Sequence, residues 1–123
     1  MKKRIFTSFF FLIFSLQNLF AQLPSEDPLF HQVMILDSIL FEEGFNKCNF
    51  EALNRITAED LEFYHDQGGI TLGKTDFLET TRKNICSISY KPMRKLDNAS
   101  LDIYPLMSNG KIYGAIQSGV HEF

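Results

Sequence analysis

At 123 residues, 45% of them hydrophobic and 22% charged, with a formal charge of −3, four prolines, seven glycines and no tryptophan, the chain has the make-up of one ordinary globular domain. That composition excludes a multidomain enzyme, a disordered tail, a collagen-like repeat and a polytopic membrane protein. Of the seventeen aromatic residues, Phe6, Phe9, Phe10, Phe11, Phe14 and Phe20 fall within the first twenty positions, so the core is reckoned without them once that segment is assigned.

Lys2, Lys3 and Arg4 form a positive n-region and Ile5 to Leu16 an apolar run of twelve. Gln17 and Asn18 are polar, and Leu19-Phe20-Ala21 precedes Gln22 as a small-residue cleavage site. Residues 1–21 therefore read as an export signal cut after Ala21, for delivery to the periplasm or the medium. A spanning helix needs about 20 apolar residues. The run is shorter, so no stable membrane span is expected after cleavage, with an uncleaved N-terminal anchor as the alternative. No cysteine follows the cleavage point directly, which argues against a lipoprotein. The remaining 102 residues, Gln22 to Phe123, carry nine Lys and Arg against fifteen Asp and Glu, a net charge of −6. That sign argues against nucleic-acid or anionic-membrane partners.

Ser25, Asp27 and Pro28 make a helix start, with an acidic cap and a proline in the first turn. Leu29, Val33, Leu36 and Leu40 then recur at helical spacing beside Phe30, Met34, Phe41 and Phe45, a broad apolar face suited to packing on a sheet. Asn49 caps a second, short helix with Phe50, Leu53 and Ile56. Asp76 with Glu79 opens a third, whose apolar side is Phe77, Thr81 and Ile85. Between the last two, Leu61 to Asp66 alternates in character, Gln67-Gly68-Gly69 breaks it and Ile70-Thr71-Leu72 resumes, which reads as a hairpin.

After Lys91-Pro92 the pattern turns extended: Met93 to Leu96, a turn at Asp97-Asn98-Ala99, Leu101 to Met107, a turn at Asn109-Gly110, and Ile112 to Phe123. Asn109-Gly110 is the strongest hairpin signal in the chain. Pro105 cannot donate to a ladder, which puts its strand at an edge or makes it bulge there. Asn98-Ala99-Ser100 matches a glycosylation sequon and marks that turn as exposed.

Cys48 and Cys86 meet oxidising conditions in an exported chain and can pair as a disulfide. Closing that 39-residue loop would stabilise the fold by about 4 kcal/mol on the chain-entropy model. Two small buried thiols are the alternative. Neither cysteine has a second Cys or His at ligand spacing, so a zinc site is not expected, and no cofactor motif is present.

Three groups of residues are candidates for chemistry. Tyr64, His65 and Asp66 sit at a rigid strand end beside a glycine turn. There His65, sharing a face with Leu61 and Phe63, could serve as a general base if a carboxylate orients it. Asp66 projects to the opposite face unless a bulge at Gly68-Gly69 re-aims it. The bland alternative is that Asp66 caps the turn and His65 bonds a backbone carbonyl. On the last strand one face carries Tyr113, Ala115, Gln117, Gly119 and His121; polar groups spaced around small residues can line a pocket, or simply face solvent or a dimer partner. His65 and His121 with Asp66 or Glu122 show no spacing that supports a metal. His31 reads as a surface residue.

Four segments carry a resemblance: Phe45-Asn46-Lys47-Cys48-Asn49, Phe63 to Gly69, Asn84-Ile85-Cys86, and Tyr113 to Phe123. From about Pro28 to Phe123 the chain resembles the nuclear transport factor two-like superfamily, which includes ketosteroid isomerase and the SnoaL-like polyketide cyclases, and within it a small exported bacterial group of unknown function. The resemblance implies an α+β cone over residues 22–123: a curved mixed or antiparallel sheet packed on about three N-terminal helices and open at one end to a pocket. Relatives continue past the strand ending in His-x-Phe into two further strands, the last usually bearing tryptophan, so the sheet is expected to lack them. Arg94, with Lys95, belongs to a solvated charged face or else points into the cone as a ligand contact.

Three functions follow. The favoured one is an exported module that binds a small hydrophobic ligand in the cone or forms a homodimer through its sheet. The second is an isomerase-like or cyclase-like enzyme, with His65 or Asp66 moving a proton and Tyr64 or His121 stabilising an enolate oxygen. The third is a truncated remnant, either without function of its own or dependent on a partner.

Overall fold

The computed structural model describes residues 22–123, and the export-signal reading of residues 1–21 lies outside the described residues. The fold is α+β, three helices and small antiparallel sheets. Helix α1 (Pro28–Asp37) starts at Asp27, whose carboxylate accepts the Leu29 N–H at 2.7 Å, with Pro28 in the first turn where no N–H is required. It runs without a break into a nine-residue segment of π winding, Ser38–Asn46. The wider winding shows at its end, where Lys47 N–H donates to Glu42 five residues back, at 3.1 Å.

Cys48 then closes the helix in the left-handed region, φ 57°, a position usually given to glycine. Asn49 serves two helices at once. Its N–H donates back to the Glu43 carbonyl at 2.9 Å, and its side chain caps α2 (Phe50–Ile56) by accepting from Ala52 N–H at 3.1 Å. Helix α3 (Lys74–Thr81) begins two residues before the expected Asp76, after Gly73 at φ 83°, and ends in a π turn, Arg82–Cys86. The structure joins Cys86 to Cys48, Cα to Cα 6.0 Å, so the disulfide links the ends of two helices.

The strands pair in three two-stranded antiparallel units where a single curved sheet is expected. Strands β1 (Glu62–His65) and β2 (Gly69–Leu72) form the hairpin over the Gln67-Gly68-Gly69 turn. Strand β3 (Lys95–Leu96) is shorter than the Met93 to Leu96 expectation, and the turn after it is a single 3-10 turn, Asn98–Ser100, capped by Asp97. Strands β4 (Asp102–Ser108) and β5 (Lys111–Ser118) meet at Asn109 and Gly110, both with positive φ, 50° and 74°, as a two-residue primed turn requires.

The expected long last strand is broken. Gly119 and Val120 interrupt it, and β6 (His121–Glu122) leaves β5 to pair with β3. Ser100 holds the break open: its hydroxyl accepts the Val120 N–H at 2.7 Å. In the β4–β5 ladder Leu106 opposes Gly114 and Met107 opposes Ile112, which leaves Tyr113 as an extra residue, a bulge one step from Pro105.

Ala52, Leu53, Leu101 and Ile103 are the buried apolar side chains among the described residues, with Ile103 fully buried and Leu53 1% exposed. Leu53 reaches them by packing against Gly44 in the π-wound segment, where a β-carbon would stand 2.8 Å from Leu53 Cδ1 and 3.2 Å from its Cβ. Gly44→Ala gains helix propensity of up to about 1 kcal/mol but overpacks a side chain that has nowhere to move, at about 1–3 kcal/mol. A net loss of up to about 2 kcal/mol in urea unfolding is expected; a raised midpoint would mean that α2 is free to slide away from the segment.

Candidate functional site

A single charged residue interrupts the apolar face of the first helix. Asp37 stands four residues after Val33 and three before Leu40, inside the stripe that packs inward, and at 6% exposure it needs a partner there. Arg94 supplies it from the segment before β3. The guanidinium grips the carboxylate at both ends, Nη1 to Oδ2 at 2.7 Å and Nη2 to Oδ1 at 3.0 Å, the paired fork geometry that favours arginine over lysine. Its plane also lies over the Phe41 ring, 3.9 Å from the centroid. Of its nitrogens, Nε is buried without a hydrogen-bond partner among the described residues.

The backbone of Arg94 is held as firmly as its side chain. Buried Asn46 accepts the Arg94 N–H at 2.8 Å and donates to the Arg94 carbonyl at 2.9 Å, pairing with it as a neighbouring strand would. Asn46 Nδ2 also donates to Glu42 Oε2 at 2.9 Å, and Lys91 donates to the Asn46 carbonyl. From β5, Gln117 Nε2 donates to Asp37 Oδ1 at 2.7 Å. Three parts of the chain that are distant in sequence therefore meet at one carboxylate.

This cluster forms the floor of an open cleft of about 810 Å3 between α1 and the β4–β5 hairpin. Leu29, Val33, Leu36 and Leu40 wall it on the helix side; Ala115, Gln117, Gly119 and His121 wall it on the strand side, and Ile56 and Leu61 close one end. His121 packs its ring on Phe41, at 6.2 Å, and edge-on to Phe123, at 5.0 Å. A smaller hollow of about 360 Å3 lies on the other side of Arg94, against Met34 and Asn98.

Of the residues singled out in the sequence, Gln117, His121 and Arg94 line the cleft together. Arg94 is not on a solvated charged face, because Asp37 draws it inward. Tyr113 does not line the cleft: it is the bulged residue, 68% exposed. The bulge reverses the alternation, so Ile112 lines the cleft in its place and Ala115 and Gln117 follow in phase. Tyr64, His65 and Asp66 lie on the β1–β2 hairpin and none of them lines the cleft.

On that hairpin, His65 is half exposed, and its Nδ1 accepts the N–H groups of Gln67, at 3.1 Å, and Gly68, at 2.9 Å. Accepting at Nδ1 places the ring proton on Nε2. Asp66 accepts the same Gln67 N–H at 2.9 Å, so the two side chains cap the turn together and no bulge re-aims Asp66. Tyr64 donates to Glu62 at 2.7 Å, and the carboxylate pushes the phenol above its ordinary range. Among the described residues no group of three or more His, Cys, Asp or Glu is placed to hold a metal, and no helix is long and apolar enough to cross a membrane.

Asp37 and Asn46 are the site residues that sequence reasoning missed. The signal for Asp37 was its place in the apolar stripe. Compared with known proteins, the chain matches no family model, no curated protein and no solved structure.

Breaking a buried ion pair by removing one partner costs about 3–5 kcal/mol, because the other charge is left unpaired. Asp37→Leu and Arg94→Met are each expected to lose about that much in denaturant unfolding, and the double variant to recover most of it. Strictly additive losses would show that the two side chains are stabilised separately, by Gln117 and Phe41.

Proposed function

We propose that this protein is an exported small-ligand-binding module of the nuclear transport factor two-like kind, in which the three short sheets are parts of one curved wall around the helices. The observation that carries the reading is the cleft of about 810 Å3 between α1 and β4–β5, walled mostly by aliphatic side chains and floored by a few converging polar groups, Asp37, Arg94 and Gln117. Pockets that hold small molecules have that volume, about 300–1,000 Å3, and that make-up. Its floor carries opposite charges already joined to each other, which suits a small hydrophobic occupant better than a highly charged one.

A direct test uses the neutral dye N-phenyl-1-naphthylamine, followed by fluorescence. The native protein is expected to bind it in the micromolar range, and Ala115→Phe, which fills the cleft from the strand side, to bind it at least about tenfold more weakly with its melting temperature kept. Unchanged affinity in that variant would place the dye elsewhere and remove the support for the cleft.

The outer face of β5 favours a second role for the same module. Tyr113 and Ile116 are each more than half exposed there, with exposed Val120 just past its end, and an apolar sheet face of this kind suits pairing with a second copy. Expression of the full chain in a bacterial host tests export and pairing on one sample. The intact mass is expected to begin at Gln22, and light scattering to give twice the monomer mass, returning to one with Ile116→Lys. Retention of Met1 on the purified chain would overturn export; a monomer at every concentration would overturn the dimer.

A further inference from the structure

Gln117 has a side chain with one donor end and one acceptor end, and the cleft floor uses only the first. A carboxylate oxygen can only accept, so the contact with Asp37 fixes Nε2 as the group that faces it. Oε1 is therefore turned away from Asp37; no donor among the described residues bonds it, and it is not among the buried unpartnered atoms, so it faces the solvent of the open cleft. Gln117 lines the cleft beside Ala115, whose small side chain leaves space above the strand on that side, while on the other side Leu101 Cδ1 stands 3.2 Å from where a β-carbon on Gly119 would be. The amide cannot turn over to offer a donor instead, because that would bring Oε1 against the Asp37 carboxylate.

The charges nearby point the same way. Asp37 and Arg94 are the charged side chains that line the cleft, and each is bound to the other at both ends. The one unpartnered donor of Arg94, its Nε–H, is buried out of reach, so an anionic ligand would have to strip Arg94 from Asp37, and a cationic one Asp37 from Arg94. Either exchange leaves a buried charge without a partner. A neutral molecule disturbs neither.

Resting on the cleft reading proposed above, we infer that Gln117 is the specificity-determining residue of the cleft and that its Oε1 selects a neutral, mostly apolar molecule bearing a hydroxyl or N–H donor. Molecules of the same shape with an ether or a carboxylate in place of that donor are rejected: the ether leaves Oε1 desolvated and unpaired, and the carboxylate repels it.

Three bicyclic probes of nearly equal size test this on the native protein by calorimetric titration: 2-naphthol, 2-methoxynaphthalene and 2-naphthoate. The expected order is naphthol first, the ether about tenfold weaker and the carboxylate weakest. In Gln117→Met, checked for a cooperative melt, naphthol is expected to fall to the level of the ether while the ether is unchanged. If that variant does not fold, the ratio of naphthol to ether on the native protein still decides. Equal binding of the two neutral probes would overturn the selection by Gln117 and leave the cleft reading standing. Tightest binding by naphthoate would overturn it too, by showing that Arg94 gives up Asp37 for the ligand. No binding by any of the three would overturn the cleft reading and this inference with it.

Discussion

A carboxylate placed on the inward face of a helix has to be matched or the helix cannot pack, and Asp37 imposes that condition on most of this structure. Arg94 meets it from 57 residues away and Gln117 from 80. Through Arg94 the requirement passes to Asn46, which grips the backbone of that residue, and to Phe41, over which the guanidinium lies. Through Gln117 it passes to the β4–β5 hairpin. A buried pair of this kind is weak evidence for stability as such, since its gain is set against the cost of removing two ions from water. Its larger effect is on arrangement: of the ways to lay a small hairpin on an apolar helix, it favours the one that brings Gln117 to Asp37.

The arrangement explains why the apolar core is slender without the cleft collapsing. Ala52, Leu53, Leu101 and Ile103 are the buried apolar side chains among the described residues, while Leu36 and its neighbours on the helix stay beside the open cleft. The space above Ala115 persists because a polar cluster, fully bonded on its Asp37 side, sets the distance between helix and strand. The hairpin of β1 and β2 plays no part in this. Its histidine and aspartate satisfy backbone N–H groups of their own turn, which keeps them at the periphery.

Much of the local structure was legible. The Asp27-Pro28 start, the Asn49 cap, the Gln67 to Gly69 turn and the Asn109-Gly110 turn each rest on a side chain or a φ preference that acts within one turn of chain, and each appears in place. Of the contacts between distant residues, only the Cys48–Cys86 pairing was named. The pairing of Asp37 with Arg94 leaves only a local hint, a charge in an apolar stripe, that names no partner. The bulge at Tyr113 depends on how two strands share a ladder, and one extra residue there exchanged the faces on which Tyr113 and Ile112 were expected. The break at Gly119 depends on the Ser100 hydroxyl, which takes the Val120 N–H out of any ladder. Gln117 lies on the cleft side because the alternation restarts after the bulge, whereas His121 reaches the cleft from β6, beyond the break.

The crosslink between Cys48 and Cys86 bears on the site although neither sulfur touches it. Asp37 and Asn46 precede the loop it closes, and Arg94 and Gln117 follow it, so the bridge is a short cut along the chain from one half of the site to the other. The contour from Asp37 to Arg94 drops from 57 residues to about twenty, which lowers the entropy cost of bringing them together by about 1 kcal/mol. An oxidised chain thus begins its search for the ion pair with the two ends already tethered. Reduction would lengthen the tether nearly threefold while leaving every atom of the cleft chemically unchanged.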